Sequence, residues 1–300
     1  MRKVVSGLFL LGATCLAQAE QPVVEAYAYV TALQPPVWIF HHGERTALGA
    51  SSPVLMDDAL ITGPGARLHL ALADGSLLKL GENTSLGIPY LQLRKDGKKD
   101  VLAATLKLLH GTLRYTAQKE GSPLTHDLDI EIGSGISAHV PNADLWGSAG
   151  TSEDRLILLE GKITAESPQK PLITLSQANS VYAVTRNKVP KTPGVVTSQE
   201  AQSLRLKTEL DASHPALQSN GPYRIVLAIY NDEAKALERV KRYVQLGYPV
   251  ELQGPRKPSD PKAYRLILDG LAGTGDAAAF AALLVQKLKL TNPHVEAPAQ

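Results

Sequence analysis

Between positions 223 and 295 the hydrophobic pattern passes through the same run of elements twice. Tyr223-Arg224-Ile225-Val226-Leu227-Ala228-Ile229-Tyr230 predicts an apolar-rich strand. Ala234, Leu237, Val240, Val244 and Leu246 then recur at three- and four-residue steps, predicting an amphipathic helix closed by Gly247. Pro249 to Gln253 predicts a short strand, and Gly254-Pro255-Arg256-Lys257-Pro258 a turn. The scheme repeats with a strand over Ala263 to Leu271, a helix over Asp276 to Leu290 and an edge strand near His294-Val295. Strand-helix-strand-strand-helix-strand is the order of a split βαβ unit, an α+β arrangement with four antiparallel strands and both helices on one face. Alternation along the strands sends Ile225, Leu227, Ile229, Leu266 and Leu268 under the helices. It leaves Arg224, Val226, Ala228, Tyr230, Arg265, Ile267 and Asp269 on the open face.

Upstream the period changes. From Val24 to about residue 186, short alternating runs such as Arg67-Leu68-His69-Leu70-Ala71-Leu72, Leu128-Asp129-Ile130-Glu131-Ile132 and Arg155-Leu156-Ile157-Leu158-Leu159 are punctuated by closely spaced glycines. That pattern predicts an all-β domain, either a β-sandwich or a twisted β-solenoid. Residues 187–222 read as a linker, with an extended Lys188-to-Gly194 spacer and one short helix over 198–211. Ser198 is its predicted N-cap, and Leu204, Leu206 and Leu210 are its predicted contacts. The tail 296–300 is expected to be disordered.

Composition adds a destination. Arg2-Lys3, the apolar run Val4 to Leu16 and Ala17-Gln18-Ala19 form a secretory signal, residues 1–19, too short to anchor in a bilayer. Cys15 is the chain's single cysteine and lies inside that signal, preceded by Gly12-Ala13-Thr14, which is a poor lipidation context. The mature chain therefore has no disulfide and no thiolate metal site. No later stretch is apolar enough to span a membrane. The formal charge is +2, and removing Arg2 and Lys3 leaves 29 basic against 29 acidic residues. Residues 223–295 hold eleven Lys/Arg against seven Asp/Glu, so that unit is near +4 and the remainder near −4. Such a modest dipole is not a nucleic-acid footprint, and it suits an anionic polymer or an acidic partner.

The two Tyr-Arg dipeptides, Tyr223-Arg224 with Ile225-Val226-Leu227 and Tyr264-Arg265 with Leu266-Ile267-Leu268, make the C-terminal unit resemble the SPOR domain family over about seventy residues. That resemblance implies binding to peptidoglycan glycan strands stripped of their stem peptides, with the open face as the site. The candidate glycan-binding residues are then Arg224, Val226, Tyr230, Arg265 and Asp269. Val226, Ala228 and Ile229 stand where the family usually has Gln, Gly and Ser, and Asp269-Gly270-Leu271 replaces its Gly-Pro-Phe. A second resemblance covers about 130 residues. Asp57-Asp58-Ala59-Leu60-Ile61-Thr62-Gly63-Pro64-Gly65-Ala66, Ala73-Asp74-Gly75-Ser76, Leu80-Gly81-Glu82-Asn83-Thr84 and Leu159-Glu160-Gly161-Lys162 are similar to the FecR-type periplasmic domain. It implies an extracytoplasmic β scaffold used for protein or envelope contacts.

Catalytic constellations are absent from this reading. His41-His42 point to opposite faces of a strand and have no third ligand at metal spacing. Asp57-Asp58 reads as a turn cap and His126-Asp127 as loop, while Gly147-Ser148-Ala149-Gly150 lacks the strand-turn-helix setting of a nucleophile elbow. Trp38 and Trp146 read as core or interface anchors. The sequence thus describes a periplasmic, two-domain non-enzyme without cofactor, metal or nucleic-acid partner. Its expected function is binding of denuded peptidoglycan, with the division septum as a candidate place, while the β domain holds another envelope protein. The alternative is a protein-interaction scaffold or envelope regulator whose SPOR-like unit has lost sugar binding.

Overall fold

The computed structural model describes residues 26–118, 124–168, 170–186, 188, 192–255, 257 and 262–297. The predicted leader Met1–Ala19, positions 189–191 of the predicted spacer, part of the turn around Pro258 and the last three tail residues lie outside them.

The β-rich part contains β1 (Ala28–Gln34), β2 (Val37–His41), β3 (Glu44–Ala47), β4 (Pro53–Val54), β5 (Ala59–Thr62), β6 (Arg67–Leu72) and β7 (Leu77–Leu80). Longer strands follow: β8 (Ser85–Asp96), β9 (Lys99–Thr116), β10 (Leu124–Ile132), β11 (Ile136–Ala149), β12 (Glu153–Ser167), then β13 (Lys170–Leu175), β14 (Ser180–Thr185) and β15 (Gly194–Val195). One sheet runs β1-β6-β7-β9-β11-β12-β14-β15. The other runs β3-β2-β5-β8-β9-β10-β11-β12-β13, antiparallel except for the β9–β10 pair. Strands β9, β11 and β12 belong to both, because each bends midway and carries its second half into the other sheet. In β12 the bend falls at Gly161, where φ is +95° and an added Cβ would lie 2.4 Å from the Asn142 carbonyl oxygen. Only glycine fits there. Alternating inward residues such as Leu68, Leu70, Leu60, Leu86 and Leu106 meet in one apolar core, the corner-turning form of a sandwich.

The predicted linker is not slack. Helix α1 (Ser198–Leu206) is capped by Thr197, one residue before the predicted cap, whose Oγ1 accepts from the Glu200 amide at 3.1 Å. It ends five residues earlier than predicted. Of its predicted contacts only Leu204 is buried, while Leu206 is exposed. The two-residue strand β16 (Leu217–Gln218) then pairs with β1 on one side and with the C-terminal sheet on the other.

That last sheet holds β17 (Tyr223–Tyr230), β18 (Glu251–Gln253), β19 (Tyr264–Leu271) and β20 (His294–Glu296), with helices α2 (Glu233–Gln245) and α3 (Thr274–Leu288). Its order is β18-β19-β17-β20, all antiparallel. The split βαβ topology therefore appears as the periodicity predicts. Ala236 and Tyr243 of α2 and Ala277, Phe280, Ala281 and Leu284 of α3 pack on Ile225, Leu227, Leu266 and Leu268. The α2 stripe is rotated from the predicted one, leaving Leu237 and Leu246 exposed. Residues from both units share the same core cluster, joined through Leu33, Leu217 and Leu271, all fully buried.

Candidate functional site

The open face of the β17–β19 sheet is the site predicted from the sequence. Arg224, Arg265 and Asp269 stand on it, but each arginine is already engaged. Arg224 grips Asp269 through Nε at 2.8 Å and Nη2 at 3.2 Å. Arg265 pairs with Glu296 and donates to Gln253 Oε1 at 3.1 Å. Val226 and Ile267 face each other across the strands, and only 1% and 5% of their surfaces are exposed. The centre of this face presents little accessible apolar surface to a sugar.

Tyr230 is a correction. The register slips between Val226 and Ala228, so Leu227 is an extra residue and the alternation inverts beyond it. Tyr230 therefore turns inward, packing against the main core opposite Tyr264, and Ile229 turns outward, 54% exposed. A bulge of this kind leaves no mark in a plain alternating pattern.

A second constellation, missed from sequence, lies on the outer face of the first sheet. His69, Lys79, Arg114, Trp146, Ile157 and Val181 fall in one cross-strand row over β6, β7, β9, β11, β12 and β14. The chain between β15 and β16 crosses that row from end to end. Ala201 and Leu204 of α1, with Val196, cover the apolar half formed by Trp146, Ile157 and Val181. Glu209 covers the basic half: it accepts from Lys79 Nζ at 2.6 and 2.8 Å and from Arg114 Nη1 at 2.9 Å. Arg114 also grips Asp144 through Nε and Nη2 at 2.9 and 2.7 Å, which keeps the guanidinium fixed. Backbone oxygens finish the strap, Glu209 accepting from Arg67 Nε at 3.1 Å and Thr208 meeting His69 Nε2 at 3.0 Å. Gln34 closes it by donating to the Asp211 and His214 carbonyls at 2.8 and 2.7 Å.

Electrostatics agree with this geometry. Burial alone would raise the Glu209 carboxyl, but the hydrogen bonds and charge of Lys79, with His69 and Arg114, hold it below the usual carboxylate range. Burial lowers His69, an effect that Lys79 and Arg114 reinforce and the Thr208 carbonyl partly offsets. The hydrogen bonds with Asp144 raise Arg114, against its burial.

Beyond the strap, the two units meet at Trp38. Its Nε1 donates to the Gln245 carbonyl at 3.1 Å, satisfying an end carbonyl of α2, while the Val37 amide donates to Gly247 at 3.2 Å. Gly247 has φ +84°, and a Cβ there would lie 2.8 Å from the Trp38 ring. Trp38 is thus an interface anchor within the chain, and Trp146 is a core anchor beneath α1.

The remaining predicted residues are structural. His41 Nδ1 bonds Asp58 Oδ1, whose other oxygen accepts from the Leu55 amide at 2.7 Å, so Asp58 does cap its turn. His126 lies within β10, not in a loop, 3.3 Å from buried Asp74. Ser148 sits within strand β11, one residue before its end, with no helix following it. Among the described residues no group of three or more His, Cys, Asp or Glu is placed to hold a metal ion.

Comparison with known proteins adds one similarity. Residues 58–164 match the family described as FecR protein. The FecR-matching segment runs from β5 into β12 and contains Lys79, Arg114 and Asp144 of the strap's seat. No curated protein matches the chain. Two crystal structures of a candidate anti-sigma factor from Parabacteroides distasonis ATCC 8503, at 1.65 and 2.50 Å, are similar at 9% identity with TM-scores of 0.37 and 0.38. Each comparison covers 68% of this chain and 96% of the other.

Proposed function

We propose that this protein is a non-enzymatic regulator of the bacterial cell envelope. Its FecR-matching β unit serves as a protein-contact scaffold, and the split βαβ unit is held rigidly against it. The periplasm is its proposed site of action, on the strength of the leader pattern at residues 1–19. The single observation carrying this choice over glycan binding is the state of the open face. Both of its arginines are neutralised by carboxylates of the same sheet, and Val226 and Ile267 between them are closed off. A sugar would have to share the remaining N–H donors of these arginines with, or displace, the carboxylates that already hold them.

Co-sedimentation of the whole chain with peptidoglycan sacculi, with and without amidase stripping of stem peptides, tests the choice. The scaffold reading expects no pelleting under either condition, together with a specific crosslinked protein partner in cells. Pelleting that rises after amidase treatment and falls in an Arg224→Ala/Arg265→Ala variant would favour the second reading, binding of denuded glycan. That reading draws on the β18-β19-β17-β20 order, which the SPOR resemblance implies.

A further inference from the structure

Strand β2 ends at His41, and the chain turns at once: His42 has a left-handed backbone, φ +48°, followed by Gly43 at φ +84°. The alternation that sends neighbouring side chains to opposite faces therefore stops at His41. The two imidazoles come together instead, their ring centroids 4.1 Å apart and their planes tilted by 58°. Both line one pocket of about 430 Å³, with Leu55, Met56, Leu91 and Leu93 among its walls. His41 is fixed from behind by buried Asp58, whose Oδ1 lies 2.5 Å from Nδ1 and whose Oδ2 accepts from the Leu55 amide. A carboxylate only accepts, so Nδ1 carries the hydrogen and Nε2 keeps its lone pair. Met56 supplies the third donor of the pocket. Gln92 Nε2 meets its sulfur at 3.5 Å, and its side chain stays 37% exposed.

We infer that His41, His42 and Met56 form a binding site for a soft monovalent metal ion, Cu(I) above others. A carboxylate behind an imidazole is the usual support of a metal-binding histidine, because it sets the tautomer and raises the basicity of the free nitrogen. Two imidazoles on one metal at about 2.0–2.1 Å have ring centroids about 4.5–5 Å apart for angles between square and tetrahedral. The observed 4.1 Å needs only a small side-chain rotation to reach that separation. Imidazole alone suits zinc, nickel and copper alike; a thioether selects Cu(I). The leucine walls act in the same direction, since an apolar shell costs a monovalent ion less than a divalent one. Asp57 also lines the pocket, but no three His, Cys, Asp or Glu converge among the described residues, so hard ions find no oxygen cage. The site is independent of the scaffold reading.

Met56 is the chain's only methionine besides Met1 of the predicted leader, so its ε-methyl group gives an NMR signal that Met56→Leu identifies. Titrating the purified, methionine-labelled chain with Ag(I), a redox-inert soft ion, should shift that signal and saturate at one equivalent. Competition against a chromogenic Cu(I) chelator should show affinity falling roughly tenfold or more in His42→Ala and in Met56→Leu, at least the loss that an outer-shell change causes. Both side chains are exposed, so melting temperatures should stay at the wild-type value. His110→Ala, at an exposed histidine outside the pocket, should leave Cu(I) affinity unchanged. Zn(II) affinity should be unmoved in Met56→Leu. An unshifted Met56 signal, or Cu(I) affinity that survives His42→Ala, overturns the inference. Equal losses in His110→Ala and His42→Ala overturn it too, because scattered surface histidines would then hold the ion. Parallel losses of Zn(II) and Cu(I) in Met56→Leu would overturn selection by the thioether.

Discussion

Replacing Glu209 with Ala removes the anion that holds the strap to the first sheet. Its carboxylate receives charge-assisted hydrogen bonds from two cations, Lys79 and Arg114, both more than four-fifths buried at their side chains. A charged hydrogen bond contributes about 1.5–3 kcal/mol when well desolvated. Glu209 itself is about one-third exposed, and solvent screening reduces each bond to roughly 1 kcal/mol. Arg114 keeps Asp144, whereas Lys79 loses its ion-pair partner, so the total expected loss is about 2 kcal/mol. In a chain of this size that lowers Tm by roughly 4–6 °C. Glu209→Gln retains an acceptor and should lose about half as much. The more diagnostic readout is amide hydrogen exchange. Protection should fall first across 198–219, the crossing segment, and then at Ala32 and Leu33, the β1 residues that β16 covers. The sign of the pH dependence follows from the lowered folded-state value of Glu209. Its contribution is complete above the unfolded carboxylate value, about 4.3, and is lost as pH falls through the lower folded one. His69, also lowered, acts in the same direction at higher pH: stability starts to drop as pH falls below about 6.5. Wild-type protection across 198–219 in Glu209→Ala would refute the reasoning, because the strap would then be held by something other than this carboxylate.

Leu204→Ala opens a cavity beneath α1 beside Trp146 and should cost about 2–3 kcal/mol, with a red shift of tryptophan emission as water approaches the indole. Trp38→Phe keeps an aromatic ring but removes the donor to Gln245, so about 1 kcal/mol is expected and faster exchange should appear near the C-terminal end of α2. Gly247→Ala forces a left-handed backbone and a clash with Trp38; a loss of 2 kcal/mol or more in denaturant unfolding is expected. Arg224→Ala should change stability by less than about 1 kcal/mol, since the pair it breaks is substantially exposed, and thermal melts at low and high salt should differ little from wild type.

What the sequence made legible, and what it hid, follows from the range of the interactions. The repeat over 223–295 yielded the split βαβ order because each element carries its own apolar period and Gly247 ends α2. The same local reasoning gave the largely β character of the chain upstream of it. It failed wherever a non-local pairing decides. His69, Lys79 and Arg114 each stand between buried neighbours on separate strands, and nothing in those strands announces that register aligns all three in one row. Glu209 follows a short amphipathic helix in a stretch rich in polar residues, which favours a slack linker until the seat for its carboxylate is known. Tyr230 was misplaced by one inserted residue, Leu227, which two adjacent strands absorb at little cost but which reverses the face of everything after it.

The strap also constrains how the two units can act together. A flexible spacer would let the C-terminal unit search for a ligand at a distance from the β unit. Here β16 pairs with strands of both units, Trp38 closes the end of α2, and Leu33, Leu217 and Leu271 share one core. Relative motion would therefore require breaking backbone pairing, a buried apolar contact and the Glu209 seat together. Each of these is separately modest, but they lie along one continuous segment and must fail as a unit. Tightening or loosening the strap should accordingly shift thermal stability and exchange on the first sheet.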